Sequence, residues 1–118
     1  VRSYIGSGYS DSGYNWTGNP SSSWFTCSGI VDCALGNPPR TNSPESLYKS
    51  VVEKGNYTTD RSKFKYGDLI FYYYAGREPG HVGVYIGNDQ VIDSIPNGGV
   101  QIHNIDFSAD VMGGGSYF

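Results

Sequence analysis

Four apolar and aromatic runs, Asp68 to Tyr74, Val82 to Ile86, Val91 to Ile95 and Val100 to Ile105, fill the second half of the chain and are separated only by short clusters of turn-forming residues. Runs of this length, rich in Val, Ile, Phe and Tyr and bounded by Gly, Pro, Asn and Asp, are strands. With turns at Arg77 to Gly80, Gly87 to Asp89 and Asn97 to Gly99 they form an antiparallel meander. The first half has the other period. Ile30, Val31, Ala34 and Leu35 follow helical spacing, with Thr26 as N-cap and Gly36 as the stop, which predicts a helix from Cys27 to Leu35. A second helix opens on Ser43 as cap and Pro44 in the first position, carries Glu45 near its positive end and a stripe of Leu47, Tyr48, Val51 and Val52, and closes at Gly55. The fold class is therefore α+β, with the helices first and packed on an antiparallel sheet.

The remaining segments are less patterned. Residues Val1 to Ser23 show no sustained period and are expected to wrap the core as loops, with a short helical turn near Arg2 to Ile5, while Gly113 to Gly115 reads as a mobile tail. At 118 residues the chain is expected to form one domain. It starts at Val1 rather than Met, so a signal segment and further domains are expected upstream in a longer secreted protein. Only 16% of residues are charged, the net charge is -3, and no Lys/Arg cluster is present, which argues against nucleic-acid binding. No run of about 18 apolar residues exists to span a membrane. A surface of Gly, Ser, Asn and Tyr suits an extracellular setting.

Two cysteines raise the question of a disulfide. On one helix, a rise of about 1.5 Å per residue sets Cys27 and Cys33 roughly 9 Å apart, beyond the ~7 Å that a bridge allows. Both are expected to be free thiols, Cys33 as a small buried hydrophobe and Cys27 at the helix start, where the dipole favours a thiolate. Two Cys and two His at these spacings build no zinc site, and no cofactor is expected.

His81 and Asp93 flank the Gly87 to Asp89 turn. A three-residue loop there pairs Ile86 with Gln90 and Gly83 with Asp93, making His81 and Asp93 diagonal neighbours about 7 Å apart on one face. A two-residue loop sends them to opposite faces. With the first register, Cys27 is a candidate nucleophile, His81 its proton partner and Asp93 the group that fixes the imidazole tautomer. The amides at the helix start are candidates for an oxyanion site.

Five segments then appear in order: Tyr14-Asn15-Trp16-Thr17-Gly18, Cys27-Ser28-Gly29, Pro39-Arg40-Thr41, Gly67-Asp68-Leu69-Ile70-Phe71 and His81-Val82-Gly83-Val84-Tyr85. Together they resemble the motifs of the NlpC/P60 family of cell-wall cysteine peptidases over about residues 9 to 106. The resemblance implies a papain-like α+β fold and hydrolysis of peptidoglycan stem peptides, most often between D-γ-glutamyl and a diamino acid, by a protein that is secreted or bound to a bacterial cell wall, or derived from phage. It implies Cys27 as nucleophile, His81 as general base and Asp93 as third polar residue. Tyr14, Ser28 and Arg40 become candidate substrate-binding residues.

Two departures from the family pattern stand out. Thr26 replaces the usual Asp before the nucleophile, which puts in doubt any anchor for a free amino group. Asp93 stands where His, Asn or Gln is more common, adding negative charge that should raise the pKa of His81 and stabilise a thiolate–imidazolium pair. His103 matches no motif and reads as a surface or satisfied histidine. Trp16 reads as structural, and the run Tyr72-Tyr73-Tyr74 reads as a strand with two aromatic faces, packed in the core by default, with lining of the cleft on one side as the alternative. The competing functions are a wall-binding module without turnover and an amidase or acyltransferase of related fold.

Overall fold

The computed structural model describes residues 1–118, and the two periods seen in the sequence segregate as expected. The N-terminal segment, with a 3-10 turn at Arg2–Tyr4, contributes three two-residue strands: β1 (Gly8–Tyr9), β2 (Tyr14–Asn15) and β3 (Trp24–Phe25). They form a small sheet in which β3 lies between β1 and β2. Two helices follow, α1 (Cys27–Ala34) and α2 (Pro44–Glu53). The rest is β4 (Leu69–Tyr74), β5 (Arg77–Tyr85), β6 (Gln90–Ile95), β7 (Gly99–Asn104) and β8 (Asp110–Gly115). They build a five-stranded antiparallel sheet in the order β7-β6-β5-β4-β8.

Both helices start where their caps place them. The Thr26 side chain accepts from the Gly29 amide, and the Ser43 and Ser46 side chains each accept from the other's amide in a reciprocal box. Gly36 and Gly55 follow the helix ends with positive φ, a conformation that costs glycine little. Leu47 and Val51 of α2 are fully buried, but Val52 is 42% exposed. The expected stripe is thus narrower by one residue, because Val52 turns past the sheet-facing side. Asp32, buried in α1, accepts from the Asn42 amide (2.9 Å) and the Asn42 side chain (2.8 Å), fixing the loop that joins the helices.

Strand alternation gives the large sheet two apolar faces. Leu69, Phe71 and Val82 pack with Val31, Leu47 and Val51 of the helices, while Ile92 and Val100 meet Ile30, Phe25 and Tyr4. On the opposite face Ile70, Tyr72, Tyr85 and Val91 pack with Phe64 and Ile105. Tyr72 is fully buried and donates to the Ile105 carbonyl at 2.8 Å. Trp16 packs edge-on to Tyr4, with ring centroids 4.9 Å apart, in the aromatic plug over the small sheet.

Two expectations fail. Arg77 to Gly80 is not a turn but the start of β5, and the hairpin closes through Ala75 and Gly76, both at positive φ, between paired Tyr74 and Arg77. A two-residue turn of that conformation matches the twist of its strands. Gly113 to Gly115 is not a mobile tail but the end of β8, paired with Phe71, Ile70 and Leu69. The segment Asn56 to Thr58 crosses so closely that an added Cβ would stand 2.6 Å from the Thr58 carbonyl at Gly113 and 2.1 Å from the Asn56 carbonyl at Gly115. The glycines are there for contact rather than freedom. No helix is long and apolar enough to cross a membrane.

Candidate active site

The Gly87 to Asp89 loop has three residues, all at positive φ, and Ile86 donates its amide to the Gln90 carbonyl at 3.0 Å. Val84 pairs with Ile92 and Tyr85 with Val91. This register brings His81 and Asp93 to one face, where His81 Nε2 and Asp93 Oδ2 lie 2.8 Å apart. Gly83 stands between them in the pleat, and a Cβ there would meet the Cβ atoms of Asp93 and Val91 at 3.4 Å.

Cys27 arrives from the other side of the chain. It is the first residue of α1, and its turn is docked by three contacts. Thr26 donates its amide to the Gly13 carbonyl at 2.7 Å. Gly29 lets that same carbonyl approach to 2.3 Å from where a Cβ would stand. The buried Ser94 hydroxyl donates to the Phe25 carbonyl at 2.8 Å, tying the strand before Cys27 to the strand that carries Asp93. Cys27 and His81 then line one cavity of about 240 Å³, walled by Tyr9, Tyr74, Ile95 and Phe107. Both cysteines are free thiols, as the helical spacing required.

The electrostatics favour a charged imidazole. Burial works against protonation of His81, but hydrogen bonds to Asp93 and Cys27 and their negative charge outweigh it and raise its pKa to about 9. Since Nε2 is engaged by Asp93, Nδ1 is the nitrogen left for Cys27. Asp93 is fully buried, which alone would raise its pKa, yet its hydrogen bonds to His81, Ser108 and His103 hold it below the usual carboxylate range. Burial, and the charge of Cys27 next, push the Tyr9 phenol up. The first-turn amides of Cys27 and Ser28 have no intrahelical carbonyl partner, and the side chain of Ser28 is buried beside the sulfur-bearing residue.

Not every candidate reaches this cavity. The Tyr14 ring stacks on Phe25 and its hydroxyl donates to the Asn37 carbonyl at 2.5 Å, away from the lining residues. Arg40 is exposed in a turn with φ 65°. Conversely, Tyr9, Ser94, His103, Phe107 and Ser108 belong to the site or its support and carry no recognisable motif. His103 is satisfied, as expected, but by Asp93 Oδ1 at 2.5 Å rather than by solvent. Alternation along β7 from the Asn97 to Gly99 turn was the one signal that could have found it, since it puts His103 one diagonal from Asp93.

The sequence profile of the NlpC/P60 family matches residues 11–110. Murein DD-endopeptidase MepH of Escherichia coli is 34% identical over 98 residues, 82% of this chain and 36% of that protein. A probable endopeptidase p60 of Listeria welshimeri is 34% identical over 96 residues, 78% of this chain and 16% of that protein. The chain thus spans well under half the length of these relatives. The crystal structure of the NlpC/p60 domain of peptidoglycan hydrolase SagA superposes with a TM-score of 0.64 at 25% identity, covering 96% of this chain and 89% of that one. The chain belongs to the NlpC/P60 family.

Proposed function

We propose that the chain is a cysteine peptidase that hydrolyses a peptide bond of peptidoglycan stem peptides, between D-γ-glutamyl and a diamino acid, outside the cell or at the cell wall. The observation that carries this reading is the His81–Asp93 pair at 2.8 Å with its free ring nitrogen left for Cys27 in a shared cavity. Family membership supports the substrate class, as do relatives whose names are murein endopeptidase and peptidoglycan hydrolase.

In the proposed reaction the Cys27 thiolate attacks the scissile carbonyl carbon, and the oxyanion that forms is held by the first-turn amides of α1. The His81 imidazolium gives its Nδ1 proton to the leaving amine, breaking the C–N bond and leaving an acyl-enzyme. A water then loses a proton to His81 and adds to the thioester carbonyl, and the carboxylic acid departs as the thiolate–imidazolium pair is restored. Asp93 keeps Nε2 protonated throughout. Thr26 is spent on capping Gly29, and no carboxylate is among the residues that line the cavity.

The test is digestion of purified muropeptides of several stem types, read by mass. A new stem fragment, one water heavier in sum than its parent and absent with Cys27→Ala, is the expected result. A fragment cut at a DD bond, as the name of MepH has it, would move the assignment of the bond; a transferred group in place of water would make the domain an acyltransferase. No fragment from any stem, with binding to sacculi retained, would make it a binding module.

A further inference from the structure

Asp93 has more partners than a three-membered arrangement uses. Its carboxylate is fully buried, and a buried charge must be matched on every oxygen. Oδ2 receives His81 Nε2 at 2.8 Å and the Ser108 hydroxyl at 2.6 Å, while Oδ1 receives His103 Nδ1 at 2.5 Å. The two imidazoles approach from opposite sides. His103 pairs with Val91 on β7, one diagonal from Asp93 toward one end of β6, and His81 lies on β5 one diagonal toward the other. The His103 side chain is only 13% exposed and lies flat against Phe107, with ring centroids 4.4 Å apart and planes 3° from parallel. Phe107, itself 61% exposed, is a wall of the cavity that holds Cys27.

We propose that His103 is a positioning residue for the chemistry at Cys27, a second imidazole that holds Asp93 in place from the side opposite His81. The inference rests on the roles given above to Cys27, His81 and Asp93. As drawn, both bonds need a proton on the nitrogen facing Asp93: Nδ1–H on His103 fills Oδ1, so the carboxylate stays ionised and turns Oδ2 toward His81. Without that donor the buried carboxylate is short of a partner, its charge becomes costlier, and its hold on the His81 imidazolium weakens. Ser108 alone cannot replace it, because its hydroxyl already serves Oδ2.

Two substitutions separate the donor from the ring. In His103→Asn the side-chain amide nitrogen takes the place of Nδ1–H and the stack on Phe107 is lost, whereas His103→Phe keeps a ring on Phe107 and loses the donor. Two measurements read the result in the whole chain: the pH dependence of Cys27 alkylation by iodoacetamide, which needs no peptide substrate, and kcat and KM on a cleaved muropeptide. The expected result is that His103→Asn stays within about threefold of the parent. In His103→Phe the acid limb of alkylation moves up by about one pH unit and kcat falls about tenfold with KM within twofold. A parent-like limb and kcat in His103→Phe, or equal losses in both variants, would overturn the proposal and leave the peptidase reading intact. If the parent alkylates as a paired thiolate but cuts no muropeptide, the peptidase reading fails and the alkylation limb of His103→Phe still decides the role of His103. A parent limb near the ordinary thiol value of about 8.5 would sink the pair and the role of His103 together.

Discussion

The turn that carries Cys27 and the strands that carry His81 are held by different kinds of bond. Around Cys27 every contact engages a main-chain group: the Thr26 amide on the Gly13 carbonyl, the Gly13 carbonyl against Gly29, and the Phe25 carbonyl under the Ser94 hydroxyl. Around His81 they are side-chain ones, converging on a single buried carboxylate. Backbone contacts fix where an atom sits and are indifferent to its protonation. A carboxylate network sets orientation and charge together, so it titrates. The placement of sulfur is therefore expected to be sensitive to sterics, and the state of the imidazole to pH.

The contrast is broken most directly at Asp93. Asp93→Ala strands His81 and is expected to cost about 3 to 5 kcal/mol of stability and at least about a hundredfold in kcat; chemical denaturation and muropeptide turnover measure both, and a loss confined to one of them would show that orientation and charge are separable here. The next effect is in pH. His81 titrates at about 9 in the fold against about 6.5 in an unfolded chain. A raised pKa stabilises the fold fully below the unfolded value, and that contribution is lost as pH rises through the folded one. The melting temperature is expected to fall between about pH 6.5 and 9, with the fall flattened in His81→Gln. Asp93, held low, has the opposite sign, and its contribution disappears on acidification.

On the Cys27 side, Gly29→Ala puts a methyl group 2.3 Å from the Gly13 carbonyl and is expected to cost about 3 kcal/mol. Activity should fall beyond the fraction unfolded, with the pH profile of the remainder unchanged; a shifted profile would blur the division between the two regions. Thr26→Ala removes one cap and should cost about 1 kcal/mol in thermal or urea unfolding. Val52→Ser, on the exposed side of α2, should change stability by no more than about 0.5 kcal/mol.

The parts legible in the sequence are those encoded within a few residues. The Thr26 and Ser43 caps located both helices, and Gly87-Asn88-Asp89 narrowed the hairpin to two registers, of which the three-residue loop that joins His81 to Asp93 is the one formed. What escaped depends on neighbours far along the chain. His103 and Ser108 matter because a strand and a loop fold back on Asp93, and nothing in their own surroundings says so. Gly113 to Gly115 resembled a tail because the reason for the glycines is the backbone of Asn56 to Thr58. Tyr14 sits in a matching motif, yet its hydroxyl is taken by Asn37.

The glycine-bearing strand β8 also has a bearing on how the protein is made. It closes the free side of β4, the strand that neighbours the one carrying His81. During synthesis that side stays a sticky, unpaired ribbon until residue 115 has left the ribosome, with the other three strands of the sheet already available. A nascent chain stalled just short of that point presents an aggregation-prone border, so chaperone demand is expected to peak over the final few residues of the strand.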